Sequence, residues 1–224
     1  ISYQDNKGNE IYLEDSEFEC HVVLEGWNNK LIVGKNFCGK DTMIRLCGNS
    51  KIILGNDILC VSQVQLEALS GGTIQIGNNV YIQKDSTILS KGGPITIGNG
   101  TEIGERFFGL CGRGTLLWIG ENCLFSHDVS ALAASGHSIL DLKEQKNIAA
   151  ENEKFVKIGK HVWLGRGVTV LYNSEIQDGT VVGAGSIVKM KTDKNCILAG
   201  NPAKVIRTDC TWSRQAEIPW EDFV

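Results

Sequence analysis

From Ile158 the chain reads IGKHVW, LGRGVT, VLYNSE, IQDGTV, VGAGSI and then V, a repeat of six. Aliphatic residues fall at Ile158, Leu164, Val170, Ile176, Val182 and Val188. Four places after the first five stand Val162, Val168, Ser174, Thr180 and Ser186, all small or β-branched. A period of six cannot keep one face of an α-helix, whose turn takes about 3.6 residues. It suits a short strand followed by a turn. The aliphatic side chain points inward, the residue at plus four fills a corner, and Gly, Asn or Asp takes the bend. Three such sides close a triangular coil of about 18 residues, which buries its apolar edges by stacking on like neighbours. The predicted architecture is therefore all-β, a hexapeptide-repeat solenoid.

Upstream the rhythm lengthens. An aliphatic–glycine pair recurs at Val33-Gly34, Leu54-Gly55, Ile76-Gly77, Ile97-Gly98 and Ile119-Gly120, at steps of 21, 22, 21 and 22 residues. Each step reads as three hexads plus three or four corner residues, with SGGT and KGGP as examples of the corners. The next pair, Ile158-Gly159, comes 39 residues later. From Ile119 the phase continues through Phe125 and Ala131, and the next inward aliphatic is due where His137 stands. A largely polar run follows before Ile158. This predicts a domain over residues 1–207 with a loop at about 137–157, and long loops inside compact repeats are usually functional. Residues 208–224 abandon the pattern. They are expected to form a tail in which Trp212 and Trp220 cover the open end of the solenoid or serve an oligomer contact.

Composition removes several classes. The net charge of −4 over 224 residues, with no long basic block, argues against a nucleic-acid partner. No apolar run approaches the roughly 18 residues of a membrane span. The acidic, polar start lacks the layout of a secretory signal, which makes a cytoplasmic location the expectation. The eight cysteines show no C-x-x-C pair and no zinc-finger spacing. Reduced, packed thiols and no metal are expected.

The run IGKHVWLGRGVTVLYNSEIQDGTVVGAGSIV, followed by ILAGNPAKVIR, resembles the hexapeptide-repeat acyltransferases. The close match covers roughly 155–207 and a looser one begins near 31. The resemblance implies a left-handed parallel β-helix, a homotrimer and an acyl-CoA donor. Handedness comes from the resemblance alone, because parallel crossovers are otherwise nearly always right-handed. IGENCLFS followed by SGHSILD is most similar to the branch that O-acetylates capsular or surface polysaccharides, sialic-acid polymers among them. The implied activity is transfer of acetyl from acetyl-CoA to a saccharide hydroxyl. Alternatives are acetylation of a sugar-nucleotide amine or an antibiotic or small-metabolite hydroxyl, a zinc hydratase of the gamma carbonic anhydrase type, and a non-catalytic scaffold.

Acetyl transfer to a hydroxyl needs a base, and His is the usual one near neutral pH. Of His21, His127, His137 and His161, the third stands where coil becomes loop and matches the family's HSI position, which makes it the candidate base. The competing role for His137 is to hold the loop. His127 reads as a surface turn residue, with lining of the acceptor cleft as the competing role, and His161 as an exposed spacer. Asp141 is either the imidazole's carboxylate partner or a solvated loop acid, and Ser138 is a weaker candidate still. By resemblance, Trp163 lies against the coenzyme's thiol end, with trimer packing as the competing role. Gly165, Gly183, Ala184 and Gly185 are small enough for a pantetheine arm to approach the backbone. Between 189 and 207 five basic residues face one acidic residue, which suits phosphate binding. By resemblance, Lys204 and Arg207 are the phosphate contacts. The GxG of VGAGS lacks the strand–helix unit of a dinucleotide fingerprint.

Overall fold

The structure, a computed structural model, describes residues 2–15, 19–134, 137–147 and 154–215. The described residues contain strands and turns and no helix. Three stacks of short strands form the walls of a three-sided prism. Face 1 runs in parallel from Glu10–Leu13 through Lys30–Val33 and on to Ser174–Ile176. Face 2 runs from Cys38–Gly39 to Cys196–Gly200, and its last strand, Ala203–Thr208, turns back antiparallel. Face 3 runs from Cys20–Glu25 to Ile187–Val188. Among the described residues, no helix is long and apolar enough to cross a membrane.

The six-residue count is the pitch of one prism side. Val33, Leu54, Ile76, Ile97, Ile119, Ile158 and Ile176 stand in register on face 1, and all are buried. Leu164 and Val182 continue the pattern on face 2, and Val170 and Val188 on face 3. The residues at plus four, Val162, Val168, Ser174, Thr180 and Ser186, are fully buried beside them. The glycine of each pair answers to stacking. A Cβ on Gly120 would lie 2.5 Å from the Gly159 carbonyl oxygen, and one on Gly98 would lie 2.6 Å from Gly120 backbone. The longer upstream step goes into face 3, whose strands stretch to five or six residues at Thr42–Cys47, Gln65–Leu69, Thr87–Lys91 and Phe108–Gly112.

One corner repeats its chemistry. Where face 1 turns into face 2, each coil places one residue in the left-handed region: Asn36, Asp57, Asn79, Gly100, Asn122, His161, Gly179 and Asn195, with φ from 53° to 69°. Asn, Asp and Gly tolerate that conformation best, and His is the next most accepting.

The coil is interrupted after face 3 of its sixth described turn. After Ser130–Leu132 the chain leaves at the corner between faces 3 and 1 and returns as Lys154–Ile158, four residues before the predicted resumption at Ile158. Between them Leu140–Asp141 pairs antiparallel with Lys146–Asn147, so the loop carries a hairpin. The tail departs from expectation. Trp212 does not cover the open end: residues 210–214 run back along the corner column, hydrogen-bonding to Asn195, His161, Cys123 and Gly100. Trp220 lies outside the described residues.

All eight cysteines are free thiols. Burial pushes Cys20 up to about 12 and Cys123 up to about 11, so these thiols stay protonated and unreactive at neutral pH.

Candidate active site

Face 2 gathers the predicted coenzyme residues. Adjacent strands there run in the order Leu124–Phe125, Trp163–Leu164, Val181–Val182, Cys196–Gly200 and Ala203–Thr208. Trp163 opens the second of these and Gly165 follows it. Gly183 and Ala184 follow the third, and Lys204 and Arg207 lie on the last. Neighbouring strands stack about 4.8 Å apart, so the row from Trp163 to the basic pair spans roughly 14 Å. An indole at one end, small residues between and two cations at the other form a strip for an elongated ligand with an anionic head.

The members of this row differ in what holds them. Trp163 is 37% exposed, and its indole N–H donates to the Ser126 hydroxyl at 3.4 Å. Gly165 is buried, and a Cβ there would meet the Ala184 nitrogen at 2.7 Å, so its smallness serves coil stacking. Ala184 and Gly185 are exposed at the bend. Lys204 and Arg207 are exposed and, among the described residues, have no acidic partner within ion-pair distance. The basic excess between 189 and 207 is narrower than its count. Lys191 pairs with Glu175 at 3.5 Å, Lys194 pairs with Asp178 at 3.0 Å, and the Lys189 ammonium sits 4.8 Å above the Tyr172 ring. Two uncommitted cations remain on the strip itself.

His137 is exposed at the root of the projecting loop. The hairpin beyond it is braced internally. The Asp141 carboxylate accepts the N–H groups of Lys143 at 2.9 Å and Glu144 at 2.8 Å, so it caps the hairpin turn. Asn147 donates its side-chain amide to the Ser138 hydroxyl at 3.0 Å. These two residues shape the loop. Within one chain the loop leaves the corner between faces 3 and 1, and face 2 is the wall opposite that corner. One chain therefore keeps the candidate base and the candidate coenzyme strip on different sides of the prism.

His127 and His161 are engaged. His127 Nδ1 accepts the Glu105 N–H at 3.1 Å. Beside it Arg106 and Arg166 flank Asp128 at 2.6 and 3.0 Å and hold its carboxyl down at about 2. His161, expected to be exposed, is half-buried beneath Trp212, with ring centroids 4.4 Å apart and planes 7° from parallel. Among the described residues, no three His, Cys, Asp or Glu side chains are grouped so as to hold a metal ion. The hexad pattern does not mark Trp212 for the site, because it lies outside the repeat, although an aromatic in a polar tail is a visible signal.

Comparison with known proteins gives a consistent picture. A family model described as bacterial transferase hexapeptide (six repeats) matches residues 155–189. The chain is 30% identical over 151 residues to a polysialic acid O-acetyltransferase of Escherichia coli O1:K1 / APEC, covering 66% of this chain and 48% of that protein. It thus spans about half the length of that relative. It is 31% identical over 143 residues to the galactoside O-acetyltransferase of Lactococcus lactis subsp. lactis (strain IL1403), covering 64% of this chain and 67% of that protein. Among solved structures it matches the polySia specific acetyltransferase NeuO with a TM-score of 0.63 and 26% identity, over 96% of this chain and 83% of that one. The winding shared with that structure is the left-handed parallel β-helix expected from the resemblance.

Proposed function

Because the chain belongs to the hexapeptide-repeat acyltransferase family, we propose that it transfers acetyl from acetyl-CoA to a hydroxyl of a capsular or surface polysaccharide, with His137 as general base. The observation that carries this reading is the strip on face 2, where Trp163, Gly183, Ala184, Lys204 and Arg207 follow one another on adjacent strands. The coenzyme's phosphates meet Lys204 and Arg207, its pantetheine arm passes Gly183 and the exposed bend at Ala184, and its thioester reaches Trp163. The His137 imidazole takes the proton of the acceptor hydroxyl as that oxygen attacks the thioester carbonyl. The tetrahedral intermediate collapses with cleavage of the C–S bond, and CoA thiolate leaves beside the Trp163 N–H.

With loop and strip on opposite sides of one chain, a shared site takes them from two copies, and the homotrimer that the family resemblance implies would supply such a pairing. The hairpin supports it. Ile139, Leu140 and Leu142 are 50%, 63% and 87% exposed, an apolar arm suited to burial against a neighbouring prism.

Two measurements test the function. Coenzyme A alone is expected to raise the melting temperature, since a ligand bound only by the folded state at about 100 times its Kd stabilises by about 2.7 kcal/mol. Acetyl-CoA turnover is expected to depend on an added bacterial glycan, with mass spectrometry showing one acetyl group gained per modified residue. No shift and no acetyl gain across a panel of glycans would refute the assignment. Within the strip, Trp163→Ala is expected to weaken coenzyme binding or slow transfer while leaving acceptor preference alone. If neither coenzyme affinity nor rate changed, Trp163 would be removed from the site.

A further inference from the structure

The corner column that turns face 1 into face 2 takes Asn, Asp or Gly in seven coils and His161 in the eighth. This exception stands two residues before Trp163, in the turn that feeds its strand. It is also where the C-terminal segment is fastened most firmly. Trp212 donates its indole N–H to the His161 carbonyl at 2.8 Å, and the Trp212 carbonyl bonds the His161 Nε2 at 2.8 Å, so that nitrogen carries the proton. The two rings stack face to face, and Trp212 is only 7% exposed. Arg214 lies over the Trp212 ring, 5.7 Å from its centroid, and pairs with Glu102 two coils away.

The same indole meets Trp163, with ring centroids 6.1 Å apart and planes at 49°. That separation and tilt fall within the range in which aromatic pairs attract. Among the described residues, the Trp163 indole otherwise makes one long hydrogen bond, to Ser126. An exposed indole with a single weak polar contact samples several rotamers unless something packs beside it.

We propose that Trp212 is a positioning residue for the transfer: clamped by His161, it fixes the Trp163 indole in the orientation that receives the coenzyme's thioester end. The inference rests on Trp163 lying at that end. It adds a strap outside the hexad repeat, and its anchor His161, to the parts on which coenzyme binding depends.

The test uses His161→Asn and Trp212→Leu in the full chain. Asn is the residue other coils use at the same φ, so the first variant keeps the turn while removing the ring stack and the Nε2 bond. Each variant is expected to raise KM for acetyl-CoA roughly 3- to 10-fold, the scale of one aromatic coupling. KM for the acceptor should stay put, and Trp212→Phe should restore part of the loss. In a Trp163→Ala background the same substitutions should no longer change KM for acetyl-CoA, because the partner they act through is gone. Calorimetric titration with coenzyme A should reproduce the pattern without turnover. An unchanged acetyl-CoA KM in both variants overturns the proposal, as does an equal increase with and without Trp163. Failure of the parent protein to bind coenzyme A or transfer acetyl would instead remove the functional reading and this inference with it.

Discussion

Turnover is expected to fall at least about 100-fold in a His137→Ala variant that keeps the parent's assembly and melting temperature. A positioned base contributes about 10²–10⁴-fold, and truncating it forfeits that factor while leaving coenzyme binding intact. His137 is exposed, and the Ser138–Asn147 bond and the Asp141-capped turn, which brace the hairpin, stay in place on substitution. Steady-state kinetics with a matched thermal melt checks the prediction. Turnover within a few-fold of the parent would assign proton removal elsewhere and leave His137 as a loop residue.

Co-assembly of two crippled chains is expected to restore activity that neither has alone. One parent carries His137→Ala and the other Trp163→Ala, compared at acetyl-CoA well below the parent's KM. If each site takes its imidazole from one copy and its indole from a neighbour, random mixing gives about one site in four both intact groups. Refolding the two together should therefore regain about a quarter of unmodified turnover. If both groups served one site from the same chain, no mixture would contain an intact site. Activity at the mean of the two parents would show that arrangement, and with it the loss of the shared-site reading. The prediction follows from placement: the loop departs at the corner opposite the wall that carries Trp163.

Much of this architecture is legible in the chain because the repeat is local. Each hexad supplies its own inward aliphatic, its own corner filler and its own bend, so a pattern within six residues states what one prism side needs. The hexad phase by itself assigns Ile158, Leu164 and Val170 to the interior, and all three are buried. The pause at His137 is equally visible, as a missing aliphatic where the phase requires one. Its limits are less so. The chain rejoins face 1 at Lys154 because main-chain pairing with Thr115–Ile119 begins before the Ile158-Gly159 pair, and pairing leaves no periodic mark.

Charge is harder to read than pattern. Five basic residues between 189 and 207 form one group in the sequence, but the winding distributes them around the prism. Lys191 and Lys194 meet acids from the preceding coil, and Lys189 meets a tyrosine. Lys204 and Arg207 alone reach the strip, because the final strand doubles back on face 2.

The sequence determined the coil, the break and the chemical identity of the imidazole at that break, since each rests on residues a few positions apart. Tertiary structure alone decided which side of the prism each group faces, that the strip and the loop belong to opposite sides, and that Trp212 comes to rest on His161. The physical reason is distance along the chain. Trp212 and His161 are 51 residues apart, and no local propensity encodes a contact that exists only once the coils between them have stacked.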